Sequence, residues 1–293
     1  MGIASRVFKA NHPPERVHLL AEAGFVEFQP GIESFSTQVL KRMDKGVRAV
    51  DNASLLKAAY INGLVVDYNM LYGLPGDQAA EYESMLASIP RIYHLSPPVA
   101  RTQTVITRFA PLQANPERFG VARQSHHHCY DVLFSEQFLA DTGFDYDRFA
   151  YYFERGFEYP RPLAVLYSQL VLQIEHWKSL HRQRFVRLSY STAQDGHLRI
   201  TDSRFDRTEQ YILHSPSAEV YAALDARPVT RRAARKIVSQ LSEREFFDAL
   251  TELDERRLVW LDGESLLGLA VPDSVAERHE ASGWPKLWNA IYV

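Results

Sequence analysis

Over the first third of the chain, short apolar runs alternate with longer stretches in which apolar residues recur every three or four positions. Residues 64–71 are apolar at nearly every position, as in a strand buried on both faces, and residues 6–11, 25–28 and 104–109 read as three further strands. The punctuation between them is helical. Pro13 and Pro14 open a helix that ends at Gly24, which suits the left-handed cap position. Ser36 caps a helix near 37–43, Asn52 begins another that runs to Asn62 and Gly63, and Asp77 caps a fourth to about Ile89. This βαβα rhythm predicts an α/β fold with a parallel sheet and outer helices. Four strands do not close a full (β/α) barrel. Residues 1–111 are therefore expected to form an incomplete (β/α) barrel, whose open edge beside residues 6–11 invites pairing with another chain or a second copy.

The pattern then changes twice. Residues 112–182 read as a connecting helical region: 111–123 is loop-like, 138–158 is aromatic-rich, and 164–182 is a helix with Leu166, Leu170, Ile174 and Trp177 on one side. Residues 183–272 read as three antiparallel strands (184–191, 197–202, 208–214), the first pair turned at Asp195-Gly196. Three helices follow, near 217–226, 230–241 and 242–256, and then a hairpin turned at Asp262-Gly263. That order predicts a C-terminal α+β winged-helix-like domain. In the tail, 273–293, Trp284 and Trp288 are expected to pack on the body.

Composition narrows the function classes. Apolar residues make up 46% and charged residues 24%, ordinary for a soluble globular protein, and a net charge of −3 gives no reason to expect nucleic acid as a partner. Arg231, Arg232 and Arg235 read as a solvated helix face. No apolar run approaches the roughly 20 residues of a membrane span and no signal peptide is visible, so a cytoplasmic protein without a membrane partner is expected. The single cysteine, Cys129, excludes an internal disulfide and a self-contained cubane cluster, which requires three thiolates.

Two segments carry the candidate chemistry. Residues 29–36, Gln-Pro-Gly-Ile-Glu-Ser-Phe-Ser, end one strand and open the next helix; residues 69–77, Asn-Met-Leu-Tyr-Gly-Leu-Pro-Gly-Asp, do so one βα unit later. Barrels of this kind place ligands at such strand ends. Gly31 permits close backbone approach, and Glu33 and Ser34 offer acceptors for an amino group and ribose hydroxyls. Further matching segments are Lys-Arg-Met-Asp-Lys-Gly (41–46), Thr-Arg-Phe-Ala-Pro (107–111), Phe119-Gly120 and Phe-Ala-Tyr-Tyr-Phe (149–153). With these, the chain resembles, over about residues 7–272, the B12-associated radical SAM enzymes that mature ribosomally made peptides (RiPPs).

The resemblance implies a partial radical SAM barrel contacting S-adenosylmethionine through Gly31, Glu33, Ser34, Asn69, Tyr72 and Gly73, with Arg108 facing the same pocket. It also implies that the C-terminal domain is a peptide-recognition element. A precursor leader peptide would add as a strand beside the third strand and dock on the third helix, through Glu209, Tyr211, Leu213, Phe246, Phe247 and Leu250. Family members carry a cobalamin-binding domain, a Cys-x-x-x-Cys-x-x-Cys cluster loop and a Gly-Gly-Glu-like segment upstream. None occurs in these 293 residues, so neither a [4Fe–4S] cluster nor cobalamin is expected to be held by this chain alone.

Three functions compete. The first is a partial radical SAM-type RiPP maturation protein working with a separately supplied cluster-bearing partner. The second is a catalytically inactive homologue that binds and presents a precursor peptide. The third is a stand-alone metal enzyme using His126, His128 and a partner residue, within the run His126-His127-His128-Cys129. In an extended segment His126 and His128 project to one face, with Asp131 near, and neutral imidazoles bind zinc or copper. A loop or packing role is the plain alternative for that segment.

Overall fold

The computed structural model of the protein describes residues 7–8, 16–121, 125–225 and 227–284. Its first third is a parallel arc. Strands β1 (Val7–Phe8), β2 (Glu27–Pro30) and β3 (Val65–Val66) pair in that order, all in parallel. Strand β4 (Asn69–Tyr72) pairs in parallel with β5 (Ala100–Gln103). β3 and β4 are successive parts of one extended run beside β2: Asp67 N donates to Phe28 O at 3.0 Å and Leu71 N to Glu33 O at 2.9 Å. The apolar run at 64–71 is thus a sheet interior, and Phe28, Val66, Tyr68 and Met70 are buried. Most of the strand expected at 6–11, with the edge it would expose, lies outside the described residues. So do Pro13, Pro14 and Trp288.

Helices α1 (Val17–Glu22), α2 (Thr37–Arg42), α3 (Ala49–Ile61) and α4 (Ala79–Ser88) alternate with these strands. Gly24 follows α1 at φ +83°, where a side chain would be strained. Ser36 caps α2, accepting from Val39 N at 3.4 Å. Two expected caps are corrected. α3 starts before Asn52, because Arg48 and Asp51 close a capping box; Asn52 lies inside the helix and donates to Ser34 O at 2.9 Å. α4 is capped by Gln78 with Glu81 rather than by Asp77, whose carboxylate turns into the core.

The strand expected at 104–109 is also corrected. The parallel arc is completed by residues 100–103, and Thr104 closes the ladder by donating through both its backbone N and its hydroxyl to Tyr72 O. Beyond it β6 (Ile106–Thr107) turns away and pairs antiparallel with β7 (Tyr152–Phe153). Short helices α5 (Pro111–Ala114), α6 (Glu136–Thr142) and α7 (Tyr146–Phe149) lie between these two strands in sequence. A separate small core of Ile106, Val121, Tyr130, Ala150 and Phe153 holds this excursion together. The long helix α8 (Arg161–Gln183) then returns across the arc, burying Leu163, Tyr167, Leu170, Ile174, Trp177 and Leu180 at the spacing of one helix face. The described residues contain no closed barrel; the architecture is mixed α/β.

After α8 the chain forms a further, largely antiparallel sheet. β8 (Leu188–Thr192), β9 (Leu198–Asp202) and β10 (Glu209–Leu213) form an antiparallel meander, and β14 (Val271–Pro272) joins β8 in parallel, giving the order β10-β9-β8-β14. Helices α9 (Ser217–Leu224), α10 (Arg231–Ile237) and α11 (Glu243–Glu255) precede the hairpin of β12 (Val259–Asp262) and β13 (Ser265–Gly268), which β11 (Val229–Thr230) extends. The tail forms α12 (Asp273–Ser282), and Trp284 behind it packs edge-on against Tyr60, ring centroids 5.1 Å apart. One hydrophobic cluster runs from Val17 to Trp284, so the arc and the C-terminal part share a core. Polar ties cross the same boundary. Thr37 donates to Asp262 at 2.6 Å, and the buried Lys57 ammonium lies 2.6 Å from Asp225 Oδ1 and 2.8 Å from Gly268 O.

Candidate functional site

At the C-terminal ends of β4 and β5 a groove of about 410 Å³ opens between the arc and the N-terminal half of α8. Tyr72 and Gln103 form its floor, Tyr159 stands at one side, and Tyr167, Ser168 and Leu172 of α8 are among its other lining residues. Tyr72 is positioned as the last residue of β4, held by the parallel register Tyr72↔Gln103. Gly73 next to it has φ +79°, and a Cβ there would come within 3.2 Å of Gln103 Cγ and 3.6 Å of Tyr159. The glycine therefore gives both the left-handed turn and an open stretch of backbone beside the groove. The Gln103 amide donates to the Tyr159 hydroxyl, and Arg155 donates to the same hydroxyl, so a polar rim bounds a slot lined by tyrosines and by aliphatic side chains of α8.

Behind the slot lies a buried anchor. The Asp77 carboxylate accepts from Leu74 N at 2.9 Å, Tyr82 OH at 2.6 Å and Tyr167 OH at 2.9 Å, and pairs with Arg42 at 2.8 Å. Burial pushes its pKa up, against the pull of those hydrogen bonds and of Arg42. The same burial and the adjacent carboxylate hold the Tyr82 and Tyr167 hydroxyls far above the ordinary phenol range. These are therefore fixed donors rather than acids, and they lock α8 and α4 onto the turn that carries Gly73.

The residues expected to touch S-adenosylmethionine are distributed unevenly. Tyr72 lines the groove and Gly73 borders it. The Glu33 main chain is hydrogen-bonded to the β4 strand, but its carboxylate turns to Lys45 at 2.6 Å and does not line the groove. Gly31 and Ser34 sit in the same strand-to-helix turn; the Ser34 hydroxyl is fully buried, accepting from Ser36 N at 3.1 Å and facing Met85 Sδ at 3.6 Å. Asn69 donates across the sheet to Thr102 at 3.0 Å. Arg108 belongs to the excursion, with Nε on Ala150 O at 2.6 Å and its guanidinium over Phe153. Sequence reasoning missed Gln103, Tyr159 and Tyr167. The two tyrosines lie some ninety positions beyond Tyr72, on a segment whose return across the arc no local pattern records.

β10 is an edge strand, with β9 its one sheet neighbour among the described residues. Its side chains alternate: Glu209, Tyr211 and Leu213 share one face, Gln210 and Ile212 the other. Tyr211 is covered by the Arg256 guanidinium, 4.6 Å from its ring centroid, which brings the end of α11 to the strand. Of the residues expected to read a peptide, Leu213, Phe246 and Leu250 are buried core side chains. Glu209, Tyr211 and Phe247 retain exposed surface.

His126 and His128, the two candidate ligands of the metal reading, are held by different partners. His126 bonds to Asp131 at 2.9 Å and stacks on Tyr146, whereas His128 bonds to Glu154 at 2.9 Å. The alternation argument fails because the chain stops being extended: His127 caps a 3-10 turn, His128–Tyr130.

No family model matches this sequence, and no curated protein matches it. Among solved structures, the chain is similar to coproporphyrinogen III oxidase (HemN) from Escherichia coli, a radical SAM enzyme. The identity is 10% and the TM-score 0.36, covering 98% of this chain and 70% of that one. It is also similar to the cobalamin-dependent S-adenosylmethionine radical enzyme OxsB, at 15% identity and TM-score 0.28, covering 86% of this chain and 33% of that one. Both are radical SAM enzymes; scores this low do not decide the fold. No helix among the described residues is long and apolar enough to cross a membrane.

Proposed function

We propose that this chain is the nucleotide-facing and peptide-presenting part of a radical SAM-type RiPP maturation system, with the cluster thiolates supplied from outside these 293 residues. The observation that carries the reading is the parallel arc itself: the turn holding Glu33 and the turn holding Tyr72 are neighbouring strand ends, joined by the Leu71 N to Glu33 O hydrogen bond, with a groove opening beside Tyr72 and Gly73. The groove fits the adenosyl part of S-adenosylmethionine in kind. It has tyrosine and aliphatic side chains against which a flat base can lie, open backbone at Gly73, and the Gln103–Tyr159 rim for polar edges. A [4Fe–4S] cluster does not fit, because Cys129 is the one cysteine and lies exposed in the excursion. The test is equilibrium dialysis with S-adenosylmethionine on the full chain. Saturable binding is expected, weakened about tenfold or more by Tyr72→Ala, in line with the loss of one stacking platform of about 1–3 kcal/mol. No binding, or binding indifferent to Tyr72→Ala, overturns the reading.

A second reading, an inactive homologue that presents a precursor peptide, is favoured by the internal engagement of Ser34 and the Glu33 carboxylate and by the edge position of β10 among the described residues. Strand addition at that edge would draw on main-chain hydrogen bonds, with Tyr211, Ile212 and Phe247 as side-chain contacts. Fluorescence anisotropy with a precursor peptide encoded beside this gene should show binding without S-adenosylmethionine. A peptide that binds equally well to the Tyr211→Ala protein is not docked there.

A further inference from the structure

We propose that His127, His128 and Glu154 form a binding site for a divalent borderline metal ion such as Zn2+. The site lies in the excursion, outside the groove, and does not depend on the nucleotide reading. One ligand atom from each of the three residues lies within 4.8 Å of the others. The backbone, not chance surface crowding, brings them together. Residues 125–127 run antiparallel to β7: His127 N donates to Tyr152 O and Glu154 N to Ser125 O, both at 3.0 Å, and His126 bridges Phe153. That register sets Glu154 across from Ser125, and its side chain reaches along the ladder to the histidine pair, where His128 N donates to it at 2.9 Å. The turn into residues 128–130 then swings the two imidazoles onto one side, ring centroids 4.2 Å apart.

The donor chemistry suits such an ion. His128 N holds Glu154 Oε1 at 2.9 Å, and His128 Nδ1 meets the same oxygen at 2.9 Å. Two ligands of one zinc ion lie about 3 Å apart, so an ion that replaces the proton between His128 Nδ1 and Glu154 Oε1 is held by both. His127 contributes the second imidazole by exchanging its Nδ1 contact with Cys129 N, a 3.2 Å bond, for the ion. Two imidazoles and a carboxylate are a ligand set for zinc with one position left to water. His127 and Glu154 are half-buried and His128 is exposed, so an ion can reach the site from solvent.

The experiment uses the full chain, stripped with chelator and titrated with Zn2+ by calorimetry, with circular dichroism confirming the fold of each variant. One equivalent should bind, and both His128→Ala and Glu154→Gln should weaken binding about tenfold or more. His126→Ala, which leaves the three ligands in place, should bind as the parent does. Zn2+ should raise the melting temperature of the parent and not that of His128→Ala. Absence of stoichiometric binding overturns the proposal. So does affinity unchanged in His128→Ala and Glu154→Gln, or binding lost instead in His197→Ala, which removes one ring of the separate His197–His214 pair on the C-terminal sheet.

Discussion

At the scale of single residues, buried imidazoles set how the protein responds to acid. His94 is 1% exposed and donates from Nε2 to Leu269 O at 3.0 Å, while its Nδ1 has no hydrogen-bond partner among the described residues. Burial, reinforced by the charges of Arg204 and Lys57, holds its pKa well below the usual 6.5. Desolvation holds His181 down at about 4. An unfolded chain takes up protons at these positions below 6.5, whereas the folded chain does not, so protons favour the unfolded state in that window. Stability should therefore be level above about pH 7 and fall steadily from 6.5 towards 4, read as urea midpoints across that range. His94→Gln, which keeps a donor and cannot titrate, should flatten the slope; an unchanged slope would show that other groups govern it. None of this was legible in the sequence, where His94 is one of 11 histidines. By contrast, Gly24 and Gly73 could be read in advance as turn residues because their conformational need is local.

Elements were legible where their signals are local. Helix α11 follows Ser242 with Glu245 three residues on, and both halves of that capping box form: Glu245 N donates to Ser242 Oγ at 3.2 Å and Ser242 N to Glu245 Oε2 at 2.7 Å. Ser242→Ala should cost about 1 kcal/mol by urea unfolding, a loss that Ser242→Asp would largely restore. The meander β8–β10 and its Asp195-Gly196 turn were readable for the same reason. The strand at 104–109 was misassigned because periodicity does not say which partner a strand finds. Residues 100–103, with the polar sequence Ala-Arg-Thr-Gln, became the parallel strand through their register with β4, and residues 106–107 were taken by β7, forty-six positions away in sequence. β11 and β14 are two-residue strands that exist through pairing alone.

At the scale of the molecule, the parallel arc and the C-terminal sheet are tied by groups that burial would otherwise disfavour. Lys57 is 3% exposed on α3, and desolvation pulls its pKa down even though Asp225 opposes that shift. Arg204, 1% exposed, forks onto Asp202 and caps Arg91 O and Arg257 O. Removing one partner of such a pair costs about 3–5 kcal/mol. Asp225 keeps the Tyr190 hydroxyl at 2.6 Å and some solvent contact, which places Lys57→Met near 3 kcal/mol, the lower end of that range. The loss should appear as a shift of one cooperative urea transition followed by tryptophan fluorescence; two separated transitions would show that arc and C-terminal part fold independently. What the sequence by itself determined is most of the helices, the C-terminal meander and hairpin, the glycine-bearing turns and the scarcity of thiolates, since periodicity and composition act over a few residues. The tertiary structure alone decided that Tyr159 and Tyr167 wall the groove beside Tyr72, that Glu33 faces Lys45, and that Glu154 meets His127 and His128. Each of those contacts joins residues that only the return of the chain brings within reach, and no spacing along the polypeptide encodes that return.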